Sequence, residues 1–248
     1  MDQKNIFEEK IIKSFEKDII TLCKKYSVLK MSEELFRFTL YQNLIKQKIN
    51  NKTILFEANI LNEKTKKPPI KKIDFKFEDE NNKIILIEMK FHRGLDSGNQ
   101  RPHPHSYGKL LADFLKLSQD SIKKYDRYII YLFDENYKEK YNNRLKDKKK
   151  KNENEKIFKL VDENIKKDRK FTLELNSKKE HITIDEQTIN ETMEKQINKF
   201  FVNDNESKTI NTKIIHDSKI KLNKIYNQKL KNENIEEEYL YFKIYKII

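Results

Sequence analysis

The sequence predicts an α/β fold in which helices flank a mixed central β-sheet. Apolar residues recur with a helical period near the N-terminus and occupy both faces of a later segment, as in a central strand. All three Gly and all four Pro fall between positions 68 and 108, so the elements around this window are sharply bounded. After an N-terminal helix, the predicted core order is helix, three strands, helix, strand (αβββαβ), with additional helical and β elements at the C-terminus.

Two helices are expected before the first strand. Residues 4–26 carry apolar side chains at a helical spacing that forms a narrow stripe. Ser32 is a good N-cap and is followed by two acidic residues, which predicts a second helix from Ser32 to about Ile49. We therefore assign residues 1–30 to an N-terminal helix and residues 31–135 to the core.

Three strands are expected next, at 53–61, 71–77 and 83–91. The last has apolar residues on both faces, which is typical of a central strand. The polar segment 78–82 predicts a turn, so the second and third strands should form an antiparallel hairpin.

The Gly- and Pro-rich segment from His92 to about His105 predicts a loop before the next helix. That helix is expected from Ser106 to about Tyr125, and 127–133 should form another strand. Residues 136–248 begin with a charged run and continue with a predicted hairpin, a short helix and a terminal strand. We expect this extension to pack on the core as part of a single overall domain.

Composition restricts the class of protein. The net charge of +13 favours an anionic partner, but only six of the 53 basic residues are Arg, and a Lys-, Asn- and Ile-rich composition also arises from an AT-rich genome. Cys23 is the sole cysteine, which excludes an intrachain disulfide and a cysteine-based zinc cluster. No apolar stretch has the length of a signal peptide or a bilayer span, so we expect a soluble cytoplasmic protein without a membrane partner.

Asp74, Glu88 and Lys90 interrupt strand segments that otherwise suit burial. Residues two apart in a strand share a face, so Glu88 and Lys90 should emerge together, about 6.5 to 7 Å apart. The hairpin turn brings the start of the preceding strand, where Asp74 lies, beside them. Two carboxylates and a backbone carbonyl supply hard oxygen ligands suited to Mg²⁺. A neighbouring lysine can orient or deprotonate a metal-bound water, so the pattern predicts metal-assisted phosphodiester hydrolysis.

These residues and the element order resemble the PD-(D/E)XK nuclease superfamily, the fold of many restriction endonucleases and Holliday-junction resolvases. The resemblance covers about residues 32–134. It implies a restriction-endonuclease-like core in which Asp74 and Glu88 bind Mg²⁺, with Mn²⁺ as a substitute, and Lys90 is catalytic. Ile73 stands where the family name implies Pro.

Members of this superfamily often add an acidic residue from the first core helix. Glu33 and Glu34 both qualify by sequence, and Glu57 in the first strand is a further alternative. We predict Glu34 as the additional metal ligand because it shares a helical face that we expect to pack on the sheet, the face of Phe38, Tyr41 and Ile45.

The segment YGKLLADFLKL, residues 107–117, resembles the helix that follows the active-site strand in a group of bacterial PD-(D/E)XK-like proteins. Lys109, Asp113 and Lys116 form one polar stripe on this helix. We predict that Lys109 is catalytic and reaches the scissile phosphate, and that Lys116 binds nucleic acid. A solvated helix face remains the alternative.

The Gly- and Pro-rich loop carries further candidates. Arg93 and Arg101 are predicted to contact a DNA backbone. His92, His103 and His105 invite comparison with a zinc site, but without cysteine and with flanking Pro they favour an ordinary loop.

The leading hypothesis is a Mg²⁺-dependent DNA endonuclease of restriction or phage-defence type. A non-cleaving nucleic-acid-binding module on the same fold is the first alternative. The second is an interaction protein with a coincidental motif, in which Asp74, Glu88 and Lys90 would not converge. A homodimer and the choice between DNA and RNA are left open.

Overall fold

The computed structural model describes residues 6–50, 53–60, 70–94, 104–118, 122–139, 170–179, 181–184, 187–188, 219–236 and 238–248. These residues form a mixed α/β structure in which an open sheet carries helices on both faces. The broad class predicted from the sequence is therefore confirmed.

Three α-helices flank the sheet. Ser32 caps the second, because its Oγ accepts a hydrogen bond from the Leu35 N–H at 3.2 Å, as the sequence predicted. A π-helical turn and a 3₁₀ turn precede the first and second helices, and the bounds are Phe7–Ile11 (π-helical turn), α1 Ile12–Lys25, Val28–Lys30 (3₁₀ turn), α2 Glu33–Lys46 and α3 Pro104–Leu117. In the part of the chain that the structure describes, no helix is both long and apolar enough to cross a bilayer.

The described strands pair in the order β1-β2-β3-β4-β9-β8-β5-β6-β7. Antiparallel pairs dominate, and β3 and β4 are parallel. The bounds are β1 Leu55–Ile60, β2 Ile70–Glu78, β3 Ile84–His92, β4 Asp126–Asp134, β5 Lys170–Lys179, β6 His181–Ile184, β7 Gln187–Thr188, β8 Lys219–Lys231 and β9 Tyr239–Ile247.

The predicted hairpin of β2 and β3 is confirmed, with Glu78 paired to Ile84 and Phe75 to Ile87. The C-terminal strands β8 and β9 extend the same sheet, because β9 pairs with β4. Strand β8 was not anticipated from the sequence. The predicted short helix at 189–201 and most of the charged run after residue 139 lie outside the described residues.

Two apolar layers enclose the central strands, one on each face of the sheet. On one side, α1 and α2 pack their apolar residues, Phe36 among them, against Ile87 and Met89 of β3. On the other side, Phe114 of α3 packs against Leu86. Each fully buried large apolar side chain contributes about 1.5–3 kcal/mol. The strand alternation thus sends the even-numbered residues of β3, including Glu88, towards α3.

The predicted packing face of α2 is wrong. Phe38 is 56 % exposed, and Glu34 beside it is exposed as well. Apolar residues occur on every side of α2, so periodicity alone does not define its buried face. The side chains that pack inward are Phe36, Thr39, Leu40, Asn43 and Leu44.

Candidate active site

Two carboxylates cap the edge of β3 where its pairing with β2 ends. The paired register stops at Phe75 and Ile87. Beyond this point the Met89 N–H donates to Asp74 Oδ2 at 2.8 Å, and the Phe91 N–H donates to Glu33 Oε2 at 3.0 Å. Because the N–H groups of residues two apart point to the same side of a strand, the carboxylates take the place of a β2 backbone. The site therefore lies at a fork within the sheet and not at its outer edge.

Arg37 of α2 joins these two carboxylates. Its Nη2 lies 2.7 Å from Glu33 Oε1 and 2.8 Å from Asp74 Oδ1. Glu33 and Arg37 are four residues apart on the helix, which places them on neighbouring turns of one face. A single guanidinium thus holds an acid from α2 beside an acid from β2.

The remaining strand residues are paired with α3. Lys90 Nζ lies 3.4 Å from Asp113 Oδ2 and 3.8 Å from Glu33 Oε2. Lys116 Nζ lies 2.5 Å from Glu88 Oε1 and 3.6 Å from Asp113 Oδ1. Asp113 therefore sits between two ammonium groups and connects the α3 side of the site to the β3 side.

We call this set the acid–lysine cluster, and it comprises Glu33, Arg37, Asp74, Glu88, Lys90, Asp113 and Lys116. It contains four acids and three bases, so it carries one net negative charge when all are ionised. Its interior is buried: Glu88 and Asp113 are each 2 % exposed and Lys116 is 4 % exposed. Burying ionised groups costs free energy unless they are paired, which explains why each member contacts an opposite charge.

Burial controls the ionisation of the acids. It raises the pKa of Glu88 well above its ordinary value, and the neighbouring Asp113 charge adds to the effect while Lys116 opposes it. Burial also raises the pKa of Asp74 in spite of Arg37, and that of Glu33 in spite of Lys90. Burial therefore favours the protonated form of these three acids more than in an exposed carboxyl.

The pKa of Lys90 is raised as well, but by neighbouring charges and not by burial. Burial alone would lower its pKa, but the carboxylates of Asp113 and Glu33 outweigh this effect and raise the pKa overall. Lys90 is therefore protonated at neutral pH. In this state it can donate hydrogen bonds and offset negative charge, and it cannot accept a proton.

The donor set fits a hard divalent cation. Glu88 Oε1 and Asp113 Oδ2 are buried and each lies beside a lysine ammonium group, Glu88 Oε1 at 2.5 Å from Lys116 Nζ and Asp113 Oδ2 at 3.4 Å from Lys90 Nζ. Carboxylate oxygens are the ligands that Mg²⁺ prefers, and Mg²⁺ is often held by one or two carboxylates plus water. Among the described residues, no group of three His, Cys, Asp or Glu side chains is arranged to hold a metal ion.

The structure brings together Asp74, Glu88 and Lys90 as predicted. The interaction-protein alternative predicted that these side chains would not converge. Lys90 interacts electrostatically with both Asp74 and Glu88, and the function itself stays a prediction. Glu34, expected on the packed face, is exposed, and Glu33 is the acid of α2 that enters the cluster. Glu57 is also exposed and pairs with Lys72 at 2.7 Å, outside the cluster.

The predicted basic contacts are distributed differently. Lys109 is exposed near the middle of α3. Lys116 is buried in the cluster, so the alternative of a solvated helix face does not hold for it, and its contact with nucleic acid stays a prediction. The physical reason for the burial of Lys116 is that the buried Glu88 and Asp113 need a cation beside them. Arg93 donates to the Leu29 carbonyl at 2.9 Å. Arg101 lies outside the described residues.

His92, the histidine whose side chain the structure describes in this region, does not form part of the cluster. His92 is buried, and its Nδ1 is hydrogen-bonded to the Tyr131 hydroxyl at 3.0 Å. It packs between aromatic rings at the end of β3, against Tyr131 and Tyr137. His103 and the side chain of His105 lie outside the described residues.

Arg37 and Asp113 were not proposed as site residues from the sequence. A signal existed for each: Arg37 follows Glu33 by one helical turn, and Asp113 lies on the same polar stripe as Lys116. The sequence did not show how α2 and α3 are oriented relative to the fork, so neither residue could be placed at the site.

No protein-family model, curated protein or solved structure matches the chain. The interpretation of the acid–lysine cluster as a candidate active site rests on its geometry and on the resemblance of Asp74, Glu88 and Lys90 to the PD-(D/E)XK pattern.

Proposed function

We propose that the protein is a metal-dependent nuclease that hydrolyses phosphodiester bonds at the acid–lysine cluster. The observation that carries this proposal is the meeting of Asp74, Glu88 and Lys90, from two strands, with an acid from each of two helices. A fold needs no such assembly for stability, since apolar residues of similar volume are often as stabilising as buried charges. Perturbed ionisable groups of this kind cluster at functional sites.

Asp74 and Glu88 would hold Mg²⁺, with Mn²⁺ as a substitute. When bound, the ion supplies a water of lowered pKa and offsets charge on the phosphate. The buried carboxylates of Glu88 and Asp113 support such an ion, because carboxylate oxygens are its preferred ligands.

The chain's own residues would position the substrate. Lys90, held between Glu33 and Asp113, can donate to the attacking water or to a phosphate oxygen and stabilise the charge that develops there. Arg37 holds Asp74 in place, and Lys116 neutralises Glu88. Lys116 also donates to the Lys72 carbonyl at 3.0 Å, which ties α3 to β2 on the far side of the fork.

The resemblance places this activity among DNA endonucleases of restriction or phage-defence type, and the net charge of +13 is compatible with a DNA partner. A non-cleaving nucleic-acid-binding module is the second candidate. It is favoured by the three bases that already pair with the carboxylates, because such pairing lets the cluster exist without a metal.

Purified protein incubated with plasmid, linear, branched and single-stranded substrates distinguishes these candidates. We expect cleavage with Mg²⁺ or Mn²⁺ and none with EDTA, and Ca²⁺ should not support it. Asp74→Asn, which keeps an oxygen for the Met89 N–H, should fold and be inactive. Binding without cleavage of any substrate would assign the binding-module role, and full activity in EDTA would exclude the metal mechanism.

A further inference from the structure

An exposed aromatic patch lies next to the acid–lysine cluster. We define it as Phe38 and Tyr41 of α2 together with Phe56 of β1. Phe38 is 56 % exposed and Phe56 is 49 % exposed, which makes them two of the large apolar side chains that the described residues leave open to solvent. The rings of Tyr41 and Phe56 are in contact, with centroids 5.0 Å apart.

The patch is joined to the cluster through α2. Glu33, Arg37 and Tyr41 follow one another at intervals of four residues, so they lie along one stripe of the helix. Tyr41 is thus about 6 Å along the helix axis from Arg37 and about 12 Å from Glu33. The first two of these residues belong to the cluster, and the third belongs to the patch.

A second connection runs through the sheet. Phe56 pairs with Phe75 in the β1–β2 register, and their ring centroids are 5.0 Å apart. Phe75 is the β2 residue at which the β2–β3 pairing ends, and it is adjacent in sequence to Asp74. Packed rings and strand pairing therefore connect Tyr41 and Phe56 to the fork.

We propose that this patch stacks unpaired bases of a nucleic acid whose backbone crosses the acid–lysine cluster. Exposed aromatic faces beside a site for phosphates are the elements of single-strand recognition, since every base offers a π-face. Bases within a duplex are stacked on one another and cannot present their faces. The proposal extends the nuclease activity proposed above, and it assigns single-stranded or locally unpaired substrate to it.

The overall charge of the chain favours nucleic acid over a protein surface as the occupant. The chain carries a net charge of +13. When Lys and Arg side chains neutralise backbone phosphates, counterions condensed on the nucleic acid are released, and stacking on the rings then supplies the preference for unpaired bases.

Fluorescence anisotropy in EDTA tests this inference without cleavage. A labelled single-stranded oligonucleotide and the matching duplex are titrated with wild type, Phe38→Ala, Phe38→Tyr and a control, Ile248→Ala. Ile248 is 55 % exposed and follows the end of β9 that pairs with Arg127, at the start of β4. Phe38→Ala should fold because the side chain is half exposed. It should weaken single-strand binding about tenfold and leave duplex binding nearly unchanged, whereas Phe38→Tyr and Ile248→Ala should resemble wild type.

Equal loss for both probes, or no loss, overturns the inference, and so does a dimer of the wild type that Phe38→Ala dissociates in gel filtration. Failure of the nuclease proposal looks different. Wild type that binds single strands through Phe38 but cuts nothing with Mg²⁺ removes the nuclease and keeps the stacking surface. Wild type that cuts, with Phe38→Ala binding and cutting equally well, removes the stacking surface and keeps the nuclease.

Discussion

At the scale of single residues, burial and neighbouring charges set the pKa values of Lys90 and Glu88. Lys90 has a raised pKa because Asp113 and Glu33 outweigh the effect of its burial, so it acts as a cation. Glu88 has a raised pKa because it is buried. The pKa of Lys90 is raised by neighbouring carboxylates and that of Glu88 by burial. Different experiments can therefore test the roles of the two residues.

Lys90→Ala should affect the chemical step more than binding. We expect single-turnover cleavage to fall by about two orders of magnitude or more, because an oriented charge at the transition state is lost, while affinity stays within a few-fold. Binding titrations at several salt concentrations, paired with single-turnover cleavage, measure both effects. Lys83→Ala, in the exposed β2–β3 turn, is the control. Cleavage by Lys90→Ala at the wild-type saturating rate would falsify the catalytic assignment.

In the absence of metal, the free energy of unfolding should fall as pH rises. A carboxyl whose pKa is raised on folding binds protons more readily in the native state, so its contribution is full below its ordinary value and is lost as pH rises through the folded value. For Glu88 this range begins near 4.5 and extends upward. Urea unfolding between pH 4.5 and 8 in EDTA should show a shallower decline for Glu88→Gln than for wild type. Glu34 has a lowered pKa through hydrogen bonds from its own N–H and from Ser32, so Glu34→Gln should not flatten the profile.

At the scale of elements, α2 and α3 approach the fork from opposite faces of the sheet. Neither helix alone forms a site: α2 provides Glu33 and Arg37, and α3 provides Asp113 and Lys116. The orientation of each helix about its axis therefore determines which of its polar residues take part.

Substitution of two neighbouring acids, Glu33 and Glu34, tests the orientation of α2. Glu33→Gln should lower cleavage at least about tenfold, because it removes a partner of Lys90 and of Arg37. Glu34→Gln should change cleavage less than twofold and cost only about 0.3–1 kcal/mol of stability, as expected for an exposed acid in the first helical turn. Cleavage kinetics of both variants, with thermal melts, provide the comparison. The reverse ranking would restore Glu34 as the site acid.

Two lysines test the orientation of α3. Lys116→Met should destabilise the fold by about 3–5 kcal/mol, because Glu88 and Asp113 lose a buried partner. Lys109→Met replaces an exposed residue of the same helix and should stay within about 0.5 kcal/mol of wild type. Urea unfolding at neutral pH measures both. Equal effects would show that Lys116 is not a buried partner.

At the scale of the whole molecule, the C-terminal strand is integral to the sheet that carries the site. Strand β9 pairs with β4 on one side and with β8 on the other, and most of its side chains are buried. Strand β4 in turn pairs with β3, which carries Glu88 and Lys90. The site thus depends on a strand that lies more than a hundred residues later in the sequence.

Deleting residues 238–248 should abolish cooperative unfolding, because it exposes the apolar side chains and backbone groups of both neighbouring strands. Near-UV circular dichroism and urea titration measure this loss. The full chain carrying Ile248→Ala serves as control, since that side chain is half exposed. A truncated chain with a sharp unfolding transition would show that β3 and β4 are supported without β9.

Local sequence patterns predicted several secondary-structure elements of this protein and part of its candidate site. Alternation and the polar turn at 78–82 predicted the β2–β3 hairpin, and the two-residue spacing put Glu88 and Lys90 on one face. The Ser32 cap and the terminal strand were also recognisable, because capping and strand periodicity are properties of a few consecutive residues. These features brought Asp74, Glu88 and Lys90 together in the prediction.

Only the tertiary structure decided which helical residues complete the site. Glu33 and not Glu34 enters the cluster because α2 is rotated so that Phe36 and Leu40 pack inward, a choice that its nearly uniform apolar distribution does not encode. Lys116 is buried because Glu88 and Asp113 converge on it from different elements. Packing and charge compensation between distant segments depend on three-dimensional proximity, and sequence periodicity describes only one segment at a time.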